Sequence, residues 1–403
     1  MCPREWRDAR RECGRSVARA VQWQAAEVTA RGSVNAMQFP MSALFLVLWG
    51  ALLATSASKS FSQDLATAAV GVHENLETVT SLEDWRIRRA SIRRNLEVVM
   101  GPLPDRSRLV PVEFQVLDEV ALGQGLVRRK IEYTTEGGQE GGRDVRVRAY
   151  LFEHTLTSSE ARPAILCLHQ TVGVGKEEPS GMGGSVNLHY ALELAQRGYV
   201  TLAPDYPSFG EYEYDFRSNP RWASGSMKAI WDNMRAVDLL ERLPGVDAAR
   251  IGCIGHSLGG HNTIFTSFFD ERILAAVSSC GFTRFGKYYG GNLRGWTSDR
   301  YMPRIACMYS NDPRLVPFDF PELIAGIAPR AFFTSSPIGD ANFEVSGVRE
   351  AIQESSRVYR LYGVPERLGA IYPESAHDFP LAARQEAYRF LDQMLSLRPS
   401  LQN

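Results

Sequence analysis

Two hydrophobic patterns divide this chain, and they change over near residue 160. In the first half, Leu82, Trp85, Ile92, Leu96 and Val99 recur at helical spacing, with arginines on the other faces and Gly101-Pro102 as a stop. That pattern predicts an amphipathic helix packed on something larger. Residues 110–117, 126–134 and 145–152 then alternate as strands do, with glycine-rich breaks at 123–125 and 137–142. They predict an antiparallel entry into a sheet. From Pro163 onward the apolar runs become continuous. Strands are predicted at 164–168, 199–203, 251–255, 274–279, 331–335 and 368–372. Helices are predicted at 188–197, 227–243, 260–269, 345–362 and 381–395. Strands apolar throughout, alternating with helices, belong to a mostly parallel sheet covered on both faces. The fold class is therefore α/β, with an N-terminal helical and antiparallel extension.

Composition narrows the reading only slightly. The 403 residues carry a formal net charge of −1, with 44% hydrophobic and 23% charged residues, as a globular protein does. Near neutrality gives no electrostatic footprint for nucleic acid. Residues 1–36, with basic side chains crowded between Arg4 and Arg31, read as a disordered or non-native extension. The apolar run 43–54 is too short to span a bilayer, and small residues follow it at 55–58. Residues 37–58 are thus expected to be a signal peptide, with translation starting at Met37 or Met41. A secreted or periplasmic protein follows, with no stable membrane association once the signal is cleaved. Residues 59–109 would be a leader and the packed helix, and residues 110–397 one catalytic domain. Of six cysteines, Cys167 and Cys253 fall in apolar strands as small hydrophobes, while Cys280 and Cys307 are candidates for a pair that spacing alone does not establish.

Candidate chemistry starts at Gly255-His256-Ser257-Leu258-Gly259, between a predicted strand and a predicted helix. This is the nucleophile-elbow pattern: a sharp turn that exposes the serine oxygen, with glycines where side chains would collide. A serine needs a base, and of the seven histidines His377 follows the last predicted strand. The acid that orients it is expected on the loop after strand 331–335, where Asp340 stands and Glu344 is the fallback. Asp312 and Asp319 precede that strand and read as surface or structural groups. An oxyanion needs two N–H donors. One is expected from Leu258, the other from Thr171 or Gln170 after the strand ending at Leu168. His169 is expected to shape that loop. No cofactor and no metal site are expected, since no His/Asp/Glu set has ligand spacing.

Ser257 in its elbow, a later Asp340, a late His377 and the His169 loop together resemble the α/β-hydrolase superfamily. Within it, the chain resembles the dienelactone-hydrolase and acetyl-xylan-esterase-like branch, which borders on prolyl oligopeptidase catalytic domains. The likeness covers about residues 110–395. Dienelactone hydrolases carry a cysteine where this chain has Ser257, so the resemblance implies ester hydrolysis through a serine acyl-enzyme. The aromatic, glycine-rich stretch 282–304 supplies Tyr288, Tyr289 and Trp296 as candidate substrate contacts, and the separate stretch 206–216 supplies Glu211, Glu213 and Asp215 as candidate partners for a cation. The expected substrate is an acylated carbohydrate or a small ester. A peptidase of the prolyl-oligopeptidase type is the alternative, disfavoured because the N-terminal segment is too short for a propeller. A non-catalytic binding protein on the same scaffold is the third reading.

Overall fold

In the computed structural model of the chain, residues 76–106, 109–138, 144–155, 161–216 and 221–397 are described. The expected extension 1–36, the expected signal peptide 37–58 and most of the leader lie outside them. The strands in chain order are β1 (Phe114–Gly123), β2 (Leu126–Glu136), β3 (Val145–His154), β4 (Arg162–Leu168), β5 (Val200–Pro204), β6 (Val246–His256), β7 (Ile273–Ser279), β8 (Ala331–Ser335) and β9 (Leu368–Ile371). They form a nine-stranded sheet in the order β1-β2-β3-β5-β4-β6-β7-β8-β9. The pairings of β1 with β2, β2 with β3 and β3 with β5 are antiparallel. Every later pairing is parallel.

The helices are α1 (Leu82–Met100), α2 (Tyr190–Arg197), α3 (Gly225–Leu240), α4 (Leu258–Phe269), α5 (Arg304–Tyr309), α6 (Phe320–Ala325), α7 (Val345–Leu361) and α8 (Leu381–Met394). They cover both faces, and β4 shows why its apolar run is continuous. Ile165 and Cys167 pack with α2 and α8 residues such as Leu194 and Leu391. Ala164 and Leu166 point the other way, among α3 residues such as Val237 and Leu240. Alternate side chains of a strand leave opposite faces, so a strand buried on both must be apolar at every position.

The N-terminal helix is part of this body. Ser81 caps α1 in a reciprocal box with Asp84, and Trp85, Ile92, Leu96 and Val99 are buried as their spacing predicts. Leu82, in the first turn, stays 44% exposed. Opposite it lies the insert before β8: Asn95 Nδ2 donates to the Pro317 carbonyl at 2.8 Å, and Arg88 pairs with Glu322. Two expectations need correction. β1 begins at Phe114 rather than 110 and is almost wholly exposed, because it is the outer strand with only β2 beside it. Cys280 is a free buried thiol and does not pair with Cys307. Among the described residues no helix is long and apolar enough to cross a membrane.

Candidate active site

β6 ends at His256 and α4 begins at Leu258, which leaves Ser257 alone in the turn with φ 53° and ψ −113°. A non-glycine residue keeps such a conformation only when its surroundings impose it. Here the Ser257 N–H donates to the Ser279 carbonyl at 2.8 Å, and its own carbonyl accepts from the His261 N–H at 3.1 Å. The flanking glycines are needed: a Cβ at Gly255 would lie 2.2 Å from the Gly259 carbonyl oxygen. Ser257 does not cap α4 with its side chain, so the hydroxyl is kept for another partner.

His377 and Asp340 arrive on the loops after β9 and β8. His377 Nδ1 lies 2.8 Å from Asp340 Oδ2. The other oxygen, Oδ1, accepts from the Asn342 N–H at 2.8 Å and the Phe343 N–H at 3.1 Å, which fixes the carboxylate. Ser257 and His377 are not hydrogen-bonded to each other in this structure, although the His377 ring stands 4.9 Å from that of His256, the neighbour of Ser257. Links of this kind often close only on substrate. The other acids sit elsewhere. Asp378 accepts from Asn187 Nδ2 at 2.7 Å, Asp312 pairs with Arg314, Asp319 caps α6, and Glu344 precedes α7.

Two neighbours of this pair escaped sequence reasoning. His256 is buried, and that burial, with His377 alongside, holds its imidazole well below the usual range, so it is neutral. Burial, followed by the Asp340 carboxylate, pushes the Cys280 thiol well up. Donor atoms of His256, Cys280 and His377 lie within 4.8 Å of one another, a cluster that chain spacing hides because its members stand at or after the ends of three different strands. His377 Nδ1 is already committed to Asp340, and the thiol is held protonated.

The loop after β4 is shaped by His169. Its Nδ1–H donates to the Gln170 carbonyl at 2.6 Å, and its Nε2 accepts from the Tyr206 N–H at 2.9 Å. Burial lowers its pKa, in keeping with this neutral form. The Gln170 side chain donates to Glu178 at 3.0 Å, and Thr171 Oγ1 lies 3.1 Å from Tyr301 OH. Leu258, as the first residue of α4, has no intrahelical acceptor for its N–H.

The aromatic insert stands over one side of the elbow. Tyr288 and Trp296 are 5.4 Å apart between ring centroids, and Trp296 is buried against Phe343, whose ring faces His377 at 5.8 Å. Tyr289 is 55% exposed and donates its hydroxyl to Asn342. Glu211 is not open to a cationic substrate. It is committed to Lys130, Arg148 and the buried Lys176. Burial raises its pKa, but the bonds from Lys130 and Lys176 outweigh this and hold it at about 2. Asp215 lines a cleft of about 370 Å³ together with Phe216, Asp299, Arg300 and Tyr301.

The prolyl oligopeptidase family matches residues 185–311, a span that contains Ser257 and ends before Asp340 and His377. YtaP of Bacillus subtilis (strain 168), which is named as a hydrolase, is 26% identical over 329 residues, covering 76% of this chain and 100% of its own. The 4-O-methyl-glucuronoyl methylesterase of Hypocrea jecorina (strain QM6a) is 28% identical over 135 residues, covering 30% of this chain and 29% of its own. A glucuronoyl esterase from Solibacter usitatus has a similar structure, with a TM-score of 0.60 at 18% identity over 78% of this chain and 94% of that one. With the sheet and the strand–turn–helix elbow, these likenesses show that the chain has the α/β-hydrolase fold.

Proposed function

We propose that this α/β-hydrolase cleaves carboxylic esters through an acyl-enzyme on Ser257, with a carbohydrate on one side of the ester. The observation that carries the reading is the 2.8 Å bond between His377 Nδ1 and Asp340 Oδ2, on loops that flank the strained Ser257 turn. In the proposed reaction Ser257 Oγ attacks the ester carbonyl carbon while His377 Nε2 takes its proton. The carbonyl oxygen gains the negative charge and is met by the N–H groups of Leu258 and Thr171. Collapse breaks the bond to the alcohol oxygen, which leaves with the proton from His377. Water, deprotonated by the same imidazole, then releases the acid and frees Ser257. Asp340 holds the ring in the tautomer with a proton on Nδ1 and stabilises the imidazolium. The scheme needs no cofactor.

The carbohydrate part rests on the named activities of the two glucuronoyl relatives and on the aromatic insert beside Ser257. Acetyl xylan esterase-type activity belongs to the same proposal. The turnover panel that tests it holds p-nitrophenyl acetate, longer acyl esters, an acetylated xylo-oligosaccharide, a glucuronoyl methyl ester and a proline amide. Each is run with wild type and Ser257→Ala. Ester turnover lost in the variant supports the reading. Amide turnover well above ester turnover replaces it with a peptidase, the reading that the prolyl oligopeptidase match favours.

Export is proposed as well, on the apolar run 43–54 and the small residues at 55–58. N-terminal sequencing of the mature protein should find a start close after residue 58; a start near Met1 would refute it.

A further inference from the structure

We propose that His261 and Trp296 form a hydroxyl-recognising subsite beside Ser257 that receives a neutral sugar ring of the substrate. The proposal rests on the esterase reading above and names which part of the ester this side of the site would hold.

His261 lies one turn along α4 from Ser257, with its N–H on the Ser257 carbonyl. Its ring is 6% exposed and lies 4.8 Å from the ring of Trp296, which is 3% exposed. Neither ring nitrogen of His261, nor Trp296 Nε1, has a hydrogen-bond partner among the described residues. A buried histidine or tryptophan ordinarily finds a partner for its polar atoms, and leaving three unpaired in one place is costly. Groups that the fold leaves unpaired beside a nucleophile are groups that a substrate can pair.

The donor count says what kind of substrate. Burial alone lowers the His261 pKa to about 3, so the ring is neutral and offers one donor and one acceptor. Trp296 adds a second donor. Hydroxyl groups both give and accept hydrogen bonds, and so match this set. A carboxylate accepts only and an ammonium donates only, and either would bring a charge into a buried ring of aromatics. That ring continues through Tyr288 at 5.4 Å and Phe343 at 6.3 Å from Trp296, toward His377. On the other side Tyr301 faces His261 at 6.0 Å and touches Thr171, on the loop assigned to the oxyanion. Apolar ring faces with a few inward polar atoms suit a pyranose, whose C–H faces stack while its hydroxyls bond.

The test compares esters that differ only in hydroxyl groups. One pair is an acetylated methyl xyloside with cyclohexyl acetate. The other is the methyl ester of methyl glucuronoside with methyl cyclohexanecarboxylate. Wild type should prefer the sugar member of one pair by at least about tenfold in kcat/KM. His261→Phe and Trp296→Phe, which keep a ring and remove the polar atoms, should each lower that ratio about tenfold, the worth of one hydrogen bond. His261→Gln, which restores a donor and an acceptor, should keep more of the ratio than His261→Phe. Turnover without sugar preference in wild type overturns the subsite and leaves the esterase standing, as do equal losses on both members of a pair. No turnover of any of the four esters also overturns it, and p-nitrophenyl acetate then decides whether the esterase reading falls too.

Discussion

Leu168 and Gly259 touch so closely that no side chain fits between them: a Cβ at Gly259 would lie 1.9 Å from the Leu168 carbonyl oxygen. Leu168 ends β4, and Gly259 lies in the first turn of α4. The contact therefore sets the distance between the elbow and the loop that begins at His169, and with it the separation of the N–H groups of Leu258 and Thr171. The same carbonyl oxygen is held by the Tyr190 hydroxyl, so it cannot easily retreat.

Gly259→Ala should push α4 off the end of β4. Overpacking of this kind costs about 1–3 kcal/mol, and a displacement of about 1 Å between catalytic groups costs on the order of 10²-fold in rate. Thermal melting and ester turnover of the purified variant read the two effects separately. Wild-type values for both would show that the contact has slack.

The Ser257 turn makes a prediction about stability that runs against activity. Ser257→Ala and Ser257→Gly both remove the nucleophile, and turnover should fall on the order of 10⁶-fold by analogy with serine proteases. They should differ in stability. At φ 53° the alanine keeps the backbone strain that glycine does not feel, so the glycine variant should be the more stable by about 1 kcal/mol. Urea unfolding of the two variants measures the gap, and an alanine variant at least as stable as the glycine one would mean that the turn is not strained.

Asp340→Asn keeps the shape of the acid and changes what it can hold. The side-chain oxygen facing His377 Nδ1 would compete with an amide nitrogen, which favours the wrong tautomer. Turnover should fall on the order of 10⁴-fold with the fold unchanged. Glu344→Gln should do far less, because Glu344 stands before α7 and is not bonded to His377. The reverse ranking, read in the same assay, would move the acid to Glu344.

What the sequence reveals here follows periodicity and chain order. Strands β4 to β9 and helices α3, α4, α7 and α8 lie within a few residues of their apolar runs, because a fully buried strand and an amphipathic helix leave unlike patterns. Chain order alone pointed to the loops after β8 and β9, where Asp340 and His377 meet. Other features stayed hidden. α6 is a single short helix whose signal, Asp319 with Glu322 three residues later, is a capping box without an apolar stripe. Glu211 looked open for substrate, and only the fold shows Lys176 buried beneath it. His261 was visible as one turn after the nucleophile, yet no spacing tells whether a buried imidazole has partners.

His261 gives the pH prediction. Burial lowers its pKa from 6.5 to about 3 in the folded chain. Between those values the unfolded chain holds the proton and the folded chain does not, so stability falls as pH drops from about 6.5 toward about 3. Each unit inside that window costs about 1.4 kcal/mol. His261→Phe removes this group and leaves the carboxylates and His256 in place. Between pH 7 and pH 5 the variant should be spared about 2 kcal/mol of the loss that wild type suffers. Urea unfolding at both pH values gives the difference directly. Parallel losses in the two proteins would mean that the imidazole titrates near its ordinary value, with water or a polar partner in reach, and the buried, unpaired histidine would have to be given up.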